Sequence, residues 1–215
     1  MTGSNKQIHV LAIAPYRFLP ATNGGQKNIA LFYKYFSQLI SLTCATVKGT
    51  TKNSVEGNYD LMPIFSGNPI RYINPLYFFS LKKIIRERNI THVMLEHPYY
   101  GWLGWLLKKF VGVKLIIHSH NIEGLRFKSI GKWWWRILWQ YEKMAHHMAN
   151  YSFFISEEDR QYAVKNFGLN PDATTVITYG IQQHTACTQA QKTEAKKAIC
   201  RQHSIDEHKL LLLYS

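Results

Sequence analysis

The stretch Leu115 to Phe127, LIIHSHNIEGLRF, sets His118, His120, Asn121, Glu123 and Arg126 directly behind an apolar run. Two histidines two positions apart on an extended segment face the same way, with Ser119 opposed. Such a pair has three readings. It can begin a zinc site, although four ligands are needed and His97 is the only obvious third. It can be a satisfied pair inside a core. It can also contact and polarise a substrate, since imidazole exchanges protons near neutral pH. Position near the end of the run favours His120 over His118 for that last role. Asn121 and Glu123 either orient substrate hydroxyls or cap a following helix.

A second candidate lies near the N-terminus, where ATNGGQKN places Gly24 and Gly25 just before an amphipathic segment. Bare backbone N–H groups at a helix start can approach a phosphate or a sugar closely. The spacing matches neither GxGxxG nor GxxxxGK[ST], and a Gly-Gly turn can equally be structural.

Elements must bring such residues together, and the chain supplies them. Short apolar runs of strand length recur at 8–15, 41–47, 61–66, 91–97, 114–120, 151–156 and 174–180. Most are continuous rather than alternating, as strands covered on both faces are. Segments of helical period lie between most of them, several closing at Gly or Asn. The alternation predicts a doubly wound, mainly parallel α/β sheet. In such a sheet ligands bind outside the carboxyl ends of the strands. The polar residues fall there: Asn23 to Gly25 after the first run, Glu96 and His97 at the fourth, His118 to Glu123 at the fifth, Ser156 to Asp159 at the sixth, Tyr179 and Gly180 at the seventh.

The bulk composition narrows the partners. The chain of 215 residues carries 26 Lys plus Arg against 13 Asp plus Glu, a formal charge of +13. That excess favours anionic partners, namely phosphorylated small molecules, acidic lipid or nucleic acid. No nucleic-acid-binding motif is present, so none is expected. Three scattered cysteines, Cys44, Cys187 and Cys200, suggest neither a disulfide framework nor a zinc cluster, and a reducing, cytoplasmic setting fits. The N-terminus lacks signal-peptide regions, and no apolar run has the length of a spanning helix.

The segment GKWWWRILWQYEKMAHHM predicts a helix whose core-facing stripe is Trp134, Ile137, Leu138, Tyr141, Met144, Ala145 and Met148. Trp133, Trp135 and Trp139 remain, either to widen the packed face or to meet a lipid surface. Basic pairs at Lys82–Lys83, Lys108–Lys109 and Lys196–Lys197, with Arg86 and Arg88, read as solvated helix ends or as a face toward anionic lipid.

The order of Gly24–Gly25, HSHNIEGLRF, FFISEEDRQYAV and TVITYGI resembles the N-terminal domain of retaining glycosyltransferases of the GT-B fold, family 4, from about Ile8 to Ile181. The resemblance is strongest to bacterial members that assemble cell-surface polysaccharides and glycolipids. It implies transfer of a sugar from a nucleotide-sugar donor to a sugar or lipid-linked glycan acceptor, in a cleft between two Rossmann-like domains, with no metal or other cofactor. It implies that Gly24 and Gly25 approach the donor phosphates and that His120 contacts the transferred sugar. His97, Asn121, Glu123, Arg126 and Gly180 border the substrates. One departure stands out: Tyr179 takes the place of the Asn that many members carry before the closing glycine.

The expected organisation is a disordered N-terminus over 1–7, a Rossmann-like domain over 8–185, and a linker helix with the first strand of a second domain over 186–215. The family's donor-binding glutamates belong to that second domain, so residues 1–215 alone are expected to bind acceptor and transfer sugar poorly. The expected location is the cytoplasm, with possible contact to the inner face of the membrane. Two rival readings are a non-catalytic Rossmann-like binding module and a basic nucleotide- or nucleic-acid-binding domain.

Overall fold

The computed structural model describes residues 7–52, 57–180 and 186–211. The expected disordered N-terminus lies, for residues 1–6, outside them. The chain forms two units, Met1–Gly180 and Ile181–Ser215.

The first unit contains one sheet of seven strands: β1 (His9–Ile13), β2 (Ser41–Val47), β3 (Asp60–Phe65), β4 (His92–Glu96), β5 (Lys114–Ser119), β6 (Tyr151–Phe154) and β7 (Thr174–Val176). Their order is β3-β2-β1-β4-β5-β6-β7, and every pairing is parallel. The doubly wound sheet expected from the alternation is thus present. Strand order reverses between β1 and β4, the switch point at which such sheets open a crevice.

Burial on both faces explains the continuous apolar runs. Leu11, Ile13, Val93, Leu95, Leu115 and Ile117 pack with Leu81, Ile84 and Ile85 of α2 (Leu76–Glu87), Leu103 and Leu107 of α3 (Gly101–Val111) and Ala145 of α5 (Trp135–Met148). Val10, Ala12, Cys44, Met94 and Ile116 pack on the opposite side with Ile29 and Tyr33 of α1 (Gly24–Phe36). Successive strand residues therefore alternate between two helix layers.

Two shorter helices complete the unit: α4 (Glu123–Ser129) and α6 (Glu157–Tyr162), the latter running into a π turn at Ala163–Phe167. Gly124 allows α4 to lie against α5, because a Cβ there would come within 2.7 Å of the Trp139 Cα.

The α5 helix departs from the stripe expected of it. Its buried residues are Glu142, Ala145 and His146, whereas Ile137 and Met144 are exposed. The reason is polar. The Glu142 side-chain oxygens accept the N–H groups of Glu123 and Gly124, each at 2.9 Å, and so cap α4 from a neighbouring helix. His146 lies 2.8 Å from the Ser152 hydroxyl and stacks on Phe154. Two polar residues thus own the inward face that an apolar count assigns elsewhere. Of the remaining tryptophans, Trp139 packs with the cluster of Phe154 and Phe167, while Trp133 is exposed.

In the second unit a helix α7 (Gln189–Gln202) begins at Thr188, whose side chain and that of Gln191 form a reciprocal capping box. The strand expected over 209–215 lies, for residues 212–215, outside the described residues.

Candidate functional site

Where β1 and β4 part, a cleft of about 1060 Å³ opens at the carboxyl edge of the sheet. The loop after β1 contributes Tyr16 and Arg17, and the start of α1 contributes Asn23, Gly25 and Gln26. His97 follows β4, His120 and Asn121 follow β5, Glu123 and Arg126 stand on α4, and Tyr179 follows β7. Of the residues expected at the site, Gly25, His97, His120, Asn121, Glu123 and Arg126 line this one cleft. Gly24 is the first residue of α1, beside the lining but outside it. Gly180 lines a separate apolar groove of about 260 Å³ against α1, together with Phe32 and Phe36.

The α1 terminus is built to present backbone donors. Asn23 accepts the Gln26 N–H at 3.0 Å, and the Gln26 side chain returns to the Thr22 N–H at 2.7 Å. Geometry leaves the first-turn N–H groups of any helix without intrahelical acceptors, so those of Gly24 and Gly25 carry the positive end of the helix dipole.

Two relays run side by side under the cleft. In one, the Tyr16 hydroxyl lies 3.1 Å from His97 Nε2, and His97 Nδ1 donates to Glu123 Oε1 at 3.0 Å. Tyr99 donates to Glu123 Oε2 at 2.7 Å and Arg126 to the same oxygen at 3.0 Å. In the other, Tyr179 donates to His120 Nδ1 at 3.1 Å, and His120 Nε2 donates to Glu96 Oε2 at 2.6 Å. His118 Nδ1 lies 3.0 Å from the same Glu96 oxygen. All three histidines and both carboxylates are buried.

Electrostatics assigns the charges. Burial alone would raise Glu96, but the charge and hydrogen bonds of His118 and His120 outweigh it and hold the carboxyl well below the usual range. Burial likewise raises Glu123, and the bonds from His97 and Tyr99 with the nearby Arg126 charge bring it down to about 2. Both are carboxylates at neutral pH. His120 is pulled below the ordinary histidine value, chiefly by burial, against the opposing pull of Glu96. A neutral imidazole with Nε2–H on Glu96 is fixed in one tautomer, so Nδ1 faces Tyr179 as an acceptor.

His97 carries a second signal. It sits at φ 65° and ψ 160°, a region seldom occupied by residues other than glycine. Holding it there costs on the order of 1–3 kcal/mol, which the bonds to Glu123 and Tyr16 help offset.

Three features escaped the sequence. Glu96 is a third ligand candidate beside His118 and His120, their potential ligand atoms all within 4.8 Å of one another. Among the described residues these three, without His97, are grouped closely enough to hold a cation, although one carboxylate oxygen already lies against two imidazoles. Glu123 lines the cleft and also has a structural role. Its side chain is wholly buried and holds His97, while the capping falls to Glu142. Arg17 and Arg71 also line the cleft with Arg126, making its wall cationic. Arg71 is anchored there by bonds to the carbonyls of Pro15 and Gly67.

The fold and the cleft define a doubly wound α/β domain open at its switch point. The chain belongs to Glycosyltransferase Family 4, whose model matches residues 29–183. Among curated proteins it is similar to the O-antigen biosynthesis glycosyltransferase WbnH of Escherichia coli, at 25% identity over 125 residues covering 56% of this chain and 35% of that protein. The probable O-antigen biosynthesis glycosyltransferase WbiN of the same organism matches to the same extent. Sucrose-phosphate synthase of Thermosynechococcus elongatus shares the fold with a TM-score of 0.62 at 11% identity, over 81% of this chain and 49% of that one. HepE of Anabaena, solved in complex with UDP and glucose, has a TM-score of 0.60 at 13% identity, over 92% and 50%. The chain thus spans about a third of the length of the curated relatives it matches, 35%, and half of the HepE chain, 50%. No helix among the described residues is long and apolar enough to cross a membrane.

Proposed function

We propose that this chain is the acceptor-side half of a glycosyltransferase that moves a sugar from a nucleotide-sugar donor to a cell-surface polysaccharide or lipid-linked glycan acceptor. The observation that carries the reading is the pair of Tyr–His–Glu relays beneath a cationic cleft, in a chain of this family. The names of the Escherichia coli relatives support the polysaccharide, and the ligands of HepE support the nucleotide. Arg17, Arg71, Arg126 and the start of α1 at Gly24 and Gly25 suit a diphosphate.

In this reading His120 positions and polarises the transferred sugar and does not attack it. Glu96 fixes its ring, and a substrate hydroxyl takes the place of the Tyr179 hydroxyl on Nδ1. Charge developing on the departing diphosphate is met by the backbone donors of α1 and the arginines. Asn121 and Arg126 border the acceptor, Glu123 and His97 hold the wall behind them, and Gly180 closes the domain. A second domain over and beyond 186–215 supplies most donor contacts. The reaction uses no metal: a cation at Glu96, His118 and His120 would have to break the bond that orients His120. The protein is cytoplasmic in this proposal.

The test is sugar transfer by a chain of the relatives' full length, with His120→Ala beside wild type. Loss of about a hundredfold or more in turnover, with the fold kept by circular dichroism, is expected for a group of this kind. Unchanged turnover would remove His120 from the mechanism.

A further inference from the structure

The smaller groove beside α1 is built differently from the cleft. Leu31, Phe32 and Phe36 of α1 form one wall, and the segment from Ile177 to Gly180 forms the other. Its volume is about 260 Å³. No lysine, arginine, aspartate or glutamate lines it, so it suits a neutral occupant even in a chain of charge +13.

One imidazole is set into this apolar lining. His118 borders the groove, is 2% exposed, and holds its ring 4.7 Å from that of Phe32, centroid to centroid. Its Nδ1 is 3.0 Å from Glu96 Oε2, whereas its Nε2 has no hydrogen-bond partner among the described residues. A buried polar atom without a partner is unfavourable, and folded proteins hold few of them. The carboxylate keeps a hydrogen on Nδ1, so in the neutral ring Nε2 is a lone-pair acceptor. The group that complements it is a donor.

We infer that this groove binds a small, neutral aromatic molecule bearing one N–H or O–H donor, which hydrogen-bonds to His118 Nε2. The size agrees: an apolar cavity of about 150 Å³ holds benzene, so this one has room for roughly ten non-hydrogen atoms. The lining agrees as well, since Phe32 and Phe36 stack at 5.0 Å and offer ring surface to another ring. An occupant bonded to His118 also reaches the cleft without entering it. Glu96 Oε2 lies against both His118 and His120, and Tyr179 lines groove and cleft alike. The occupant is therefore felt at the ring of His120, which makes the groove an effector site. The word effector rests on the proposed role of His120 in transfer, but the binding does not.

The test is an NMR titration of the 215-residue chain with indole and with indene, fused rings of the same shape that differ in the N–H. Indole is expected to bind at least about threefold more tightly, a ratio that one net hydrogen bond supports. His118→Phe keeps the apolar volume but removes Nε2, so it should erase the preference and still bind indene. Leu31→Trp, at a half-buried position of α1, should fill the groove and weaken both ligands about tenfold, as loss of a ring contact would. Circular dichroism checks that both variants fold, and the wild-type comparison stands without them. Nitrogen spectra of the histidine rings read the link: indole should move the signals of His120 with those of His118, and unmoved His120 signals would overturn it. The binding site is overturned if wild type binds neither ligand, or binds both equally, which would leave Nε2 to water. It is also overturned if His118→Phe keeps the preference or Leu31→Trp binds as wild type, since the ligands would then sit elsewhere. A wild-type dimer that Leu31→Trp dissolves, with no ligand bound by either, would make the groove a self-interface and overturn it too. Binding is read without turnover, so failure of the transfer reading leaves it intact.

Discussion

The rings of His97 and His120 lie 4.4 Å apart, centroid to centroid, and each has a buried glutamate on one nitrogen and a tyrosine hydroxyl on the other. The two side chains come from loops after adjacent strands, β4 and β5. Their rings are locked from behind by Glu123 and Glu96, so neither can reorient without breaking a charged hydrogen bond. A cleft floor built this way presents fixed donors and acceptors, which is what positioning a sugar demands.

Glu96→Gln tests the lock on His120. The amide keeps the shape but removes the charge that two imidazoles share. A hydrogen bond to a buried charged group is typically worth about 1.5–3 kcal/mol, and urea unfolding should register a loss of that order. If stability is unchanged, Glu96 is not the carboxylate holding the histidines.

His97→Gly and His97→Ala separate strain from bonding. Both lose the ring and its contacts to Glu123 and Tyr16, but only alanine retains a Cβ at φ 65°. The glycine variant should therefore be the more stable, by about 1 kcal/mol or more. Equal melting temperatures would mean that the backbone at this position carries no strain.

Gly124→Ala should part α4 from α5. The new methyl would meet the Trp139 Cβ at 2.5 Å and its Cα at 2.7 Å, and the backbone cannot move aside without weakening the Glu142 cap. A loss of roughly 1–3 kcal/mol is expected, as for overpacked cores generally. Thermal unfolding measures it, and a neutral result would show that the helices separate freely.

Acid should weaken the domain in two stages. Burial, with His147 nearby, lowers His146 to about 3 from its ordinary 6.5, so the folded form resists a proton that the unfolded chain accepts. Its contribution is complete above pH 6.5 and declines as pH falls below that. Glu123, lowered to about 2 from 4.5, contributes fully above pH 4.5, and its share is lost as pH drops toward 2. His146→Gln should flatten the stability profile from pH 6.5 down toward 3, most visibly above 4.5, while the share of Glu123 below 4.5 remains. A profile unchanged by that substitution would assign the first stage elsewhere.

The sheet was legible because its strands are buried on both sides, and continuous apolar runs such as Val10 to Ile13 record that directly. The rim was legible for the same reason: in a parallel sheet, polar residues at the ends of apolar runs converge. The partners of those residues were not. Tyr16 and Glu96 meet histidines that lie 81 and 24 positions away, and no local spacing encodes such contacts. The α5 helix misled for a related reason. Glu142 and His146 face inward because another element supplies donors and acceptors to them, so a count of apolar residues alone rotates the helix wrongly. A glutamate placed four residues before a histidine on an otherwise amphipathic helix was the available signal.

The pairing of Glu96 with His118 across neighbouring strands has a consequence for assembly. The two residues stand opposite each other in the β4–β5 register, on the α1 side of the sheet with Met94 and Ile116. Side chains alternate, so a slip of β4 by a single residue would carry the carboxylate to the opposite layer, among Leu81, Leu103 and Leu107, where no imidazole awaits it. Aliphatic neighbours on either face would tolerate such an exchange far better than a charge does. The buried carboxylate therefore acts as a key to the register of the sheet. It rejects misaligned strands before any ligand arrives, and the alignment it enforces is the one that sets His97 beside His120.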